Sequence, residues 1–185
     1  MDPDRDDAAR LRRGDTDGLA GLMQRHQDRL FRYLLRLTGD EPMAEDVFQQ
    51  AWLQVAERIS RYDSGRPFGP WLFTVARNLA LDQLRRIRPE RLDEAGELAA
   101  PAGTGDDPLA RAVAMERSSR LLDAVGRLAP LDREVLSLRF EAELELVQLA
   151  QTLGVPVPTA KARLYRALAR LRERLLAHAP AEEWR

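Results

Sequence analysis

The chain has 185 residues, 44% of them hydrophobic, and its 29 Lys plus Arg nearly balance 30 Asp plus Glu at a formal charge of −1. That length supports one ordinary domain or two small ones, and near-neutrality means that any nucleic-acid surface must be sought in segments. The absence of cysteine excludes disulfides, thiolate metal sites and a cysteine nucleophile, and suits a reducing cytosol. Met1 to Asp7 is acidic where a signal peptide is basic and then apolar, and no apolar run approaches the ~20 residues of a membrane span. A soluble cytoplasmic chain without membrane insertion is expected.

Residues 1–14 read as an N-terminal tail. From Leu19 the apolar residues Leu22, Met23, Leu30, Phe31, Leu34, Leu35 and Leu37 follow the three-and-four spacing of a helix with one buried stripe. Thr16 or Asp15 can cap its start, and Gly39 can close its end. A second helix starts at Asp40 or Glu41 with Pro42 in its first turn and runs through Val47, Trp52, Val55 and Ile59. Arg61 to Pro70, with two Gly and two Pro, is an irregular loop. A third helix spans Trp71 to about Ile87, with Leu72, Val75, Ala76, Leu79 and Leu84 inward and Arg77, Asp82, Arg85 and Arg86 on its polar side. Residues 15–88 thus form a small helical domain.

Residues 89–108 contain three Pro, three Gly and no aromatic residue, and set Glu90, Asp93, Glu94, Glu97, Asp106 and Asp107 against Arg91 alone. This composition is that of a flexible acidic linker, extended and repelled by DNA phosphates. Helical periodicity returns over 109–178 and forms a second domain; residues 179–185 read as a C-terminal tail. No segment shows strand alternation, so the fold class is all-α: two small helical domains joined by the linker.

Within the second domain, Leu146 to Arg166 reads as a helix-turn-helix. A short helix stops at Gly154, an apolar turn carries Val155, and a new helix begins near Pro158 or Thr159. Ala150 is small where the helices must cross, while Leu149, Leu153, Val155 and Leu164 can share a core. Thr159 can cap the second helix or touch phosphate. That helix carries Lys161, Arg163, Arg166, Arg170, Arg172 and Arg174 against Glu173. It would present Thr159, Lys161, Ala162, Arg163 and Arg166 to a major groove, where arginine bonds guanine edges and lysine neutralises phosphate. A basic helix is also an ordinary solvated face, and a helix ending in Gly an ordinary corner; both in this order favour DNA binding.

The first domain is less explicit. Asp46 and Gln49 lie one turn apart on one helix face, and Trp71 and Phe73 at a helix start are more often core than a base-stacking platform. Together, however, the Asp46-Gln49-Trp52 spacing, the Phe68-Trp71-Leu72-Arg77-Asn78-Asp82-Arg85 stretch, the acidic linker and the helix-turn-helix resemble the extracytoplasmic-function sigma factors, the small members of the sigma-70 family. The likeness spans Leu19 to Ile87 and Leu121 to Leu176. In the second stretch Leu131, Arg133, Val135, Leu136, Leu138 and Arg139 match the helix before the motif.

The resemblance implies a non-catalytic initiation factor with RNA polymerase core, promoter DNA and an anti-sigma factor as partners. Asp46, Gln49, Gln50 and Trp52 would dock on the polymerase clamp helices. The loop and following helix, with Tyr62, Ser64, Arg66, Phe68, Trp71, Arg77, Asn78 and Arg85, would engage the melted minus-ten strand. Thr159, Lys161, Ala162, Arg163 and Arg166 would read the minus-thirty-five element. The linker would thread through polymerase near the RNA exit path.

The chain departs from the family pattern at several places. Glu143-Leu144-Glu145-Leu146 replaces the usual Gly-Leu-Ser-aromatic lead-in and loses a flexible Gly and a good cap. Pro158 stands for Gly, Ala162 for Ser, and Gln50 for an acidic residue. The other reading from the residues is a helix-turn-helix repressor or activator whose N-terminal bundle serves dimerisation or ligand sensing. His26 and His178 lie in different domains, no Gly-rich phosphate loop occurs and no nucleophile has an evident base, so no catalytic residue, metal or cofactor is expected.

Overall fold

A computed structural model describes residues 2–87 and 119–177. The linker at 89–108, the start of the second domain at 109 and the tail at 179–185 lie outside the described residues. Helices α1 (Pro3–Arg12), α2 (Asp17–Thr38), α3 (Glu41–Arg58) and α4 (Phe68–Ile87) form the first half, with a 3₁₀ turn at Ile59–Arg61. The second half contains α5 (119–126), α6 (Pro130–Phe140), α7 (Leu146–Leu153) and α8 (Val157–Ala177). The all-α class expected from the periodicity is what forms: every regular element among the described residues is helical.

Local chemistry sets the helix ends. Gly39 and Gly154 stop α2 and α7 in the left-handed conformation, at φ 64° and 66°. Asp40 caps α3 by accepting from the Met43 N–H at 2.8 Å, with Pro42 in the first turn. At α2 the capping carboxylate is that of Asp15, which accepts from the Asp17 N–H at 3.0 Å, while the Thr16 hydroxyl makes no cap bond. The predicted stripes face inward: Leu22, Leu30, Leu34, Val47, Val55 and Leu72 are fully buried. Each such side chain stabilises the fold by about 1.5–3 kcal/mol relative to exposure.

The first correction concerns residues 1–14, expected as a tail. They carry α1, capped by Asp2, whose Oδ1 accepts from the Asp4 N–H at 3.1 Å, with Pro3 in the first turn. Asp4 and Asp6 sit at its N-terminal end and Arg10 and Arg12 at its C-terminal end, each sign where the helix dipole favours it. Ten residues with so few apolar positions show no periodicity; docking holds this helix. Ala8 is buried against α2, and a Cβ on Gly18 would fall 2.3 Å from the Asp7 carbonyl oxygen. Arg25 of α2 holds Asp4 and Asp7 at 2.7 Å each, and His26 Nε2 lies 2.7 Å from Asp4.

A second difference lies between the halves, which the sequence joins only through the linker. Helices α2 and α4 pack directly on α6 and α7. One hydrophobic core runs from Leu22, Leu34 and Phe73 into Val135, Leu138, Leu144, Leu149 and Leu153. From the sequence these last residues read as the interior of their own domain; part of that interior is shared.

Candidate nucleic-acid interface

On α3, Asp46, Gln49 and Gln50 are exposed together on one face. Trp52 is not part of that surface. It is only 4% exposed and packs edge-on to Phe48 at 6.3 Å, so it supports the face from beneath. Beside the face, a groove of about 630 Å³ between α2 and α3 is floored by Phe31 and Phe48, themselves edge-to-face at 5.9 Å, and rimmed by Arg32, Glu45 and Gln49. Apolar spacing alone assigned Phe31 to the core and gave no sign of the groove.

The loop before α4 is built on three rings. Tyr62, Phe68 and Trp71 lie 5.3–5.7 Å apart, and His26 adds a fourth ring 5.4 Å from Phe68. Tyr62 and Phe68 are buried, whereas Trp71 is half-buried at the helix start. Burial, then the nearby Asp2 and Asp4 carboxylates, push the Tyr62 phenol up to about 12, so it remains a neutral donor and gives its hydrogen to the Arg66 carbonyl at 2.5 Å. Arg12 of α1 donates to the Tyr62 carbonyl at 2.6 Å and to that of Ile59 at 3.3 Å, tying the loop to the N-terminal helix. Asp63 Oδ1 accepts from the Gly65 N–H at 2.9 Å, turning the chain so that Arg66 projects outward and Ser64 is half-buried.

Along α4 the expected residues diverge. Asn78 and Arg85 are exposed, and Arg85 pairs with Asp82 at 2.9 Å. Arg77 instead reaches the other half of the chain, where its Nε lies 2.6 Å from Glu134 of α6.

The helix-turn-helix has the expected parts. Leu149 and Ala150 are buried where α7 meets α8, and Ala160 and Ala167 form the inner side of α8. Thr159, Lys161, Ala162 and Arg166 are exposed and Arg163 is half-buried. Tyr165 belongs with them although its sequence position suggested nothing: it is 61% exposed, with the Lys161 ammonium 5.9 Å from its ring centre. Arg170 turns back to pair with Asp132 of α6 and braces α8. The lead-in to α7 also works without the usual residues. Gln148 Oε1 accepts from the Glu145 N–H at 2.9 Å, and Glu143 adopts the left-handed conformation itself at φ 55°.

An exposed basic helix in a helix-turn-helix, joined to a helical bundle with a polar face and an aromatic-founded loop, defines a DNA-binding transcription protein. Residues 22–90 match Sigma-70 region 2 and residues 124–173 match Sigma-70 region 4. The chain is 29% identical over 174 residues to the ECF RNA polymerase sigma factor SigW of Bacillus subtilis, covering 89% of this chain and 92% of SigW. It is 32% identical over 171 residues to the RNA polymerase sigma factor CarQ of Myxococcus xanthus, covering 90% and 94% of the two. To the ECF RNA polymerase sigma factor SigL of Mycobacterium tuberculosis it is 34% identical over 161 residues, covering 83% and 86%. Among solved structures it aligns with CnrH in complex with the cytosolic domain of CnrY at a TM-score of 0.71 and 25% identity, covering 96% of this chain and all of that one. The sigma factor RpoE of Bartonella quintana, solved with the anti-sigma factor NepR, shares the fold at a TM-score of 0.66 and 22% identity, over 85% and 98%. The chain belongs to the sigma-70 family and is an extracytoplasmic-function RNA polymerase sigma factor. Members of this family are transcription initiation factors rather than catalysts.

Proposed function

We propose that this chain, acting in the cytoplasm, brings RNA polymerase core to promoters, and that it contributes no chemistry of its own. Asp46, Gln49 and Gln50 with the adjoining groove form the polymerase-docking face, and Trp52 stiffens it from below. The loop captures the minus-ten strand: Ser64, Arg66 and Trp71 offer polar edges and a stacking ring, while buried Tyr62 and Phe68 hold the loop's shape. Asn78 and Arg85 extend this surface along α4, and Arg77 joins it when freed from Glu134. In α8, Thr159, Lys161, Ala162, Arg163 and Arg166 read the minus-thirty-five duplex, with Tyr165 as an added apolar contact.

The separation of these surfaces supports the assignment. The α3 face and the α8 face belong to different halves, as a factor that bridges polymerase and two promoter elements requires. An anti-sigma factor is a further expected partner, in keeping with the complexes in which CnrH and RpoE were solved. Co-elution of the purified chain with core polymerase from its own organism on a sizing column tests the reading. Stable co-elution is expected. Failure of folded, inhibitor-free protein to co-elute would reject it in favour of a helix-turn-helix regulator that acts without core.

A further inference from the structure

Helix α3 runs into the 3₁₀ turn at Ile59–Arg61, and the loop that precedes α4 hangs from that turn. Carbonyls at a helix C-terminus lack later amides and carry the negative end of the helix dipole, so they favour a cation. Here the cation comes from α1. The Ile59 carbonyl already accepts from the Tyr62 N–H at 3.2 Å; Arg12 Nη2 donates to it again at 3.3 Å and to the Tyr62 carbonyl at 2.6 Å. Tyr62 passes that restraint along the loop. Its ring is buried against Phe68 and Trp71, and its hydroxyl donates to the Arg66 carbonyl.

The same helix reaches the other end of the loop. Asp4 pairs with His26 Nε2 at 2.7 Å, and the His26 ring packs on Phe68, where α4 begins. Asp4 and Arg12 lie about 12 Å apart along α1 at 1.5 Å per residue, so this helix is a short strut between the entrance and the exit of the loop. Gly18 fixes its seat on α2, because a side chain there would strike the α1 backbone.

We propose that α1 is a positioning element for strand capture: Arg12 and the Asp4–His26 pair hold the loop in the shape that presents Ser64, Arg66 and Trp71, while α1 itself touches no DNA. This rests on the assignment of the loop to the minus-ten strand. A loop that must order itself on binding loses affinity for every residue it fixes, and a loop held ready does not. Arg12 Nη2 alone makes both bonds, so the role asks for one nitrogen with two N–H groups beside the carbonyls rather than for the whole guanidinium fork. Lysine can fill it.

Amide hydrogen exchange in the free full-length chain reads the brace without reference to DNA or polymerase. In Arg12→Met the amides of Tyr62, Gly65 and Arg66, each hydrogen-bonded within the loop, should exchange roughly tenfold faster, and in Arg12→Lys nearly as in the unaltered chain. The second readout is the affinity of the chain bound to core polymerase for a short fluorescent single strand, selected from a randomised pool by the unaltered holoenzyme. Arg12→Met should weaken it roughly tenfold at a constant salt slope, and Arg12→Lys should recover most of the loss. Asp40→Ala removes the α3 cap at the end remote from the loop, and should lower the melting temperature at least as much while leaving strand affinity unchanged.

Loop exchange unmoved by Arg12→Met would overturn the brace. Faster exchange with unaltered strand affinity, or equal loss of affinity in Asp40→Ala, would remove α1 from capture. Arg12 is otherwise exposed, so a salt slope reduced by about 0.7 would mean that it meets a phosphate itself, which also defeats the positioning role. A pool from which the unaltered holoenzyme enriches no strand would instead reject the assignment of the loop, and the capture role with it, while the exchange result still decides the brace.

Discussion

The Arg77 guanidinium lies 2.6 Å from Glu134, whose side chain is 4% exposed, and this pair ties α4 to α6 across the two halves of the chain. Arg77→Ala would strand a buried carboxylate and destabilise the folded chain by about 3 kcal/mol in urea denaturation. Replacing both partners together, Arg77→Met with Glu134→Leu, should cost far less, because no unpaired charge is left. A single-variant loss below about 1 kcal/mol would mean that water reaches Glu134 despite its burial.

Arg163→Ala with Arg166→Ala should weaken binding to a minus-thirty-five duplex at least about tenfold and flatten its salt dependence. Core association should survive, since α3 is untouched. Asp46→Ala with Gln49→Ala should give the opposite pattern. Fluorescence anisotropy and pull-down measure the two effects, and equal loss in both assays for either variant would contradict the assignment of separate surfaces.

Asp4 carries a pH prediction. Burial alone would raise its carboxyl, but hydrogen bonds from His26 and Arg25 and their charges bring it below its ordinary value of 3.8. A depressed carboxyl contributes stability that is complete above its unfolded value and is lost as pH falls through the folded one. Docking of α1 should therefore be full above about pH 4 and fade below it. Proteolysis within residues 3–12, followed against pH, should show that fade. Asp4→Asn should expose α1 at neutral pH and flatten the acid response; an unaltered profile would remove Asp4 from the account.

Glu143→Gly separates two effects at one position. It relieves a left-handed side chain, which should stabilise the fold by roughly 1 kcal/mol, yet it removes the contact with Arg29. The expected result is a higher melting temperature at high salt, where the Arg29 contact is screened, and a smaller gain at low salt. A lower melting temperature at both salt concentrations would show that the Glu143 contact outweighs its backbone cost.

Periodicity and punctuation made the helices legible: the Leu22, Leu30 and Leu34 stripe, the left-handed stops at Gly39 and Gly154, and the Asp40 cap all form as their chemistry dictates. The basic side of α8 was legible because six cations fall between Lys161 and Arg174 against Glu173 alone. Three features were not. Helix α1 depends on partners distant in sequence, above all Arg25 and the glycines of α2. Trp52 falls on the apolar stripe with Val47 and Val55 by spacing but on the docking face by the family resemblance, and only the packing of α3 against its neighbours decides for burial. Leu138, Leu149 and Leu153 look the same in sequence whether they serve one domain or two. Arg77, assigned to the minus-ten strand by the resemblance, has a first partner in protein, and that partner, Glu134, lies 57 positions away.

The unbroken core from Leu22 to Leu153 has a thermodynamic consequence. Because α2 and α4 share buried apolar side chains with α6 and α7, neither half can lose its packing without exposing part of the other's interior. Heat or urea should therefore unfold the two halves in one cooperative transition, rather than in the two steps that independent domains on a tether would show.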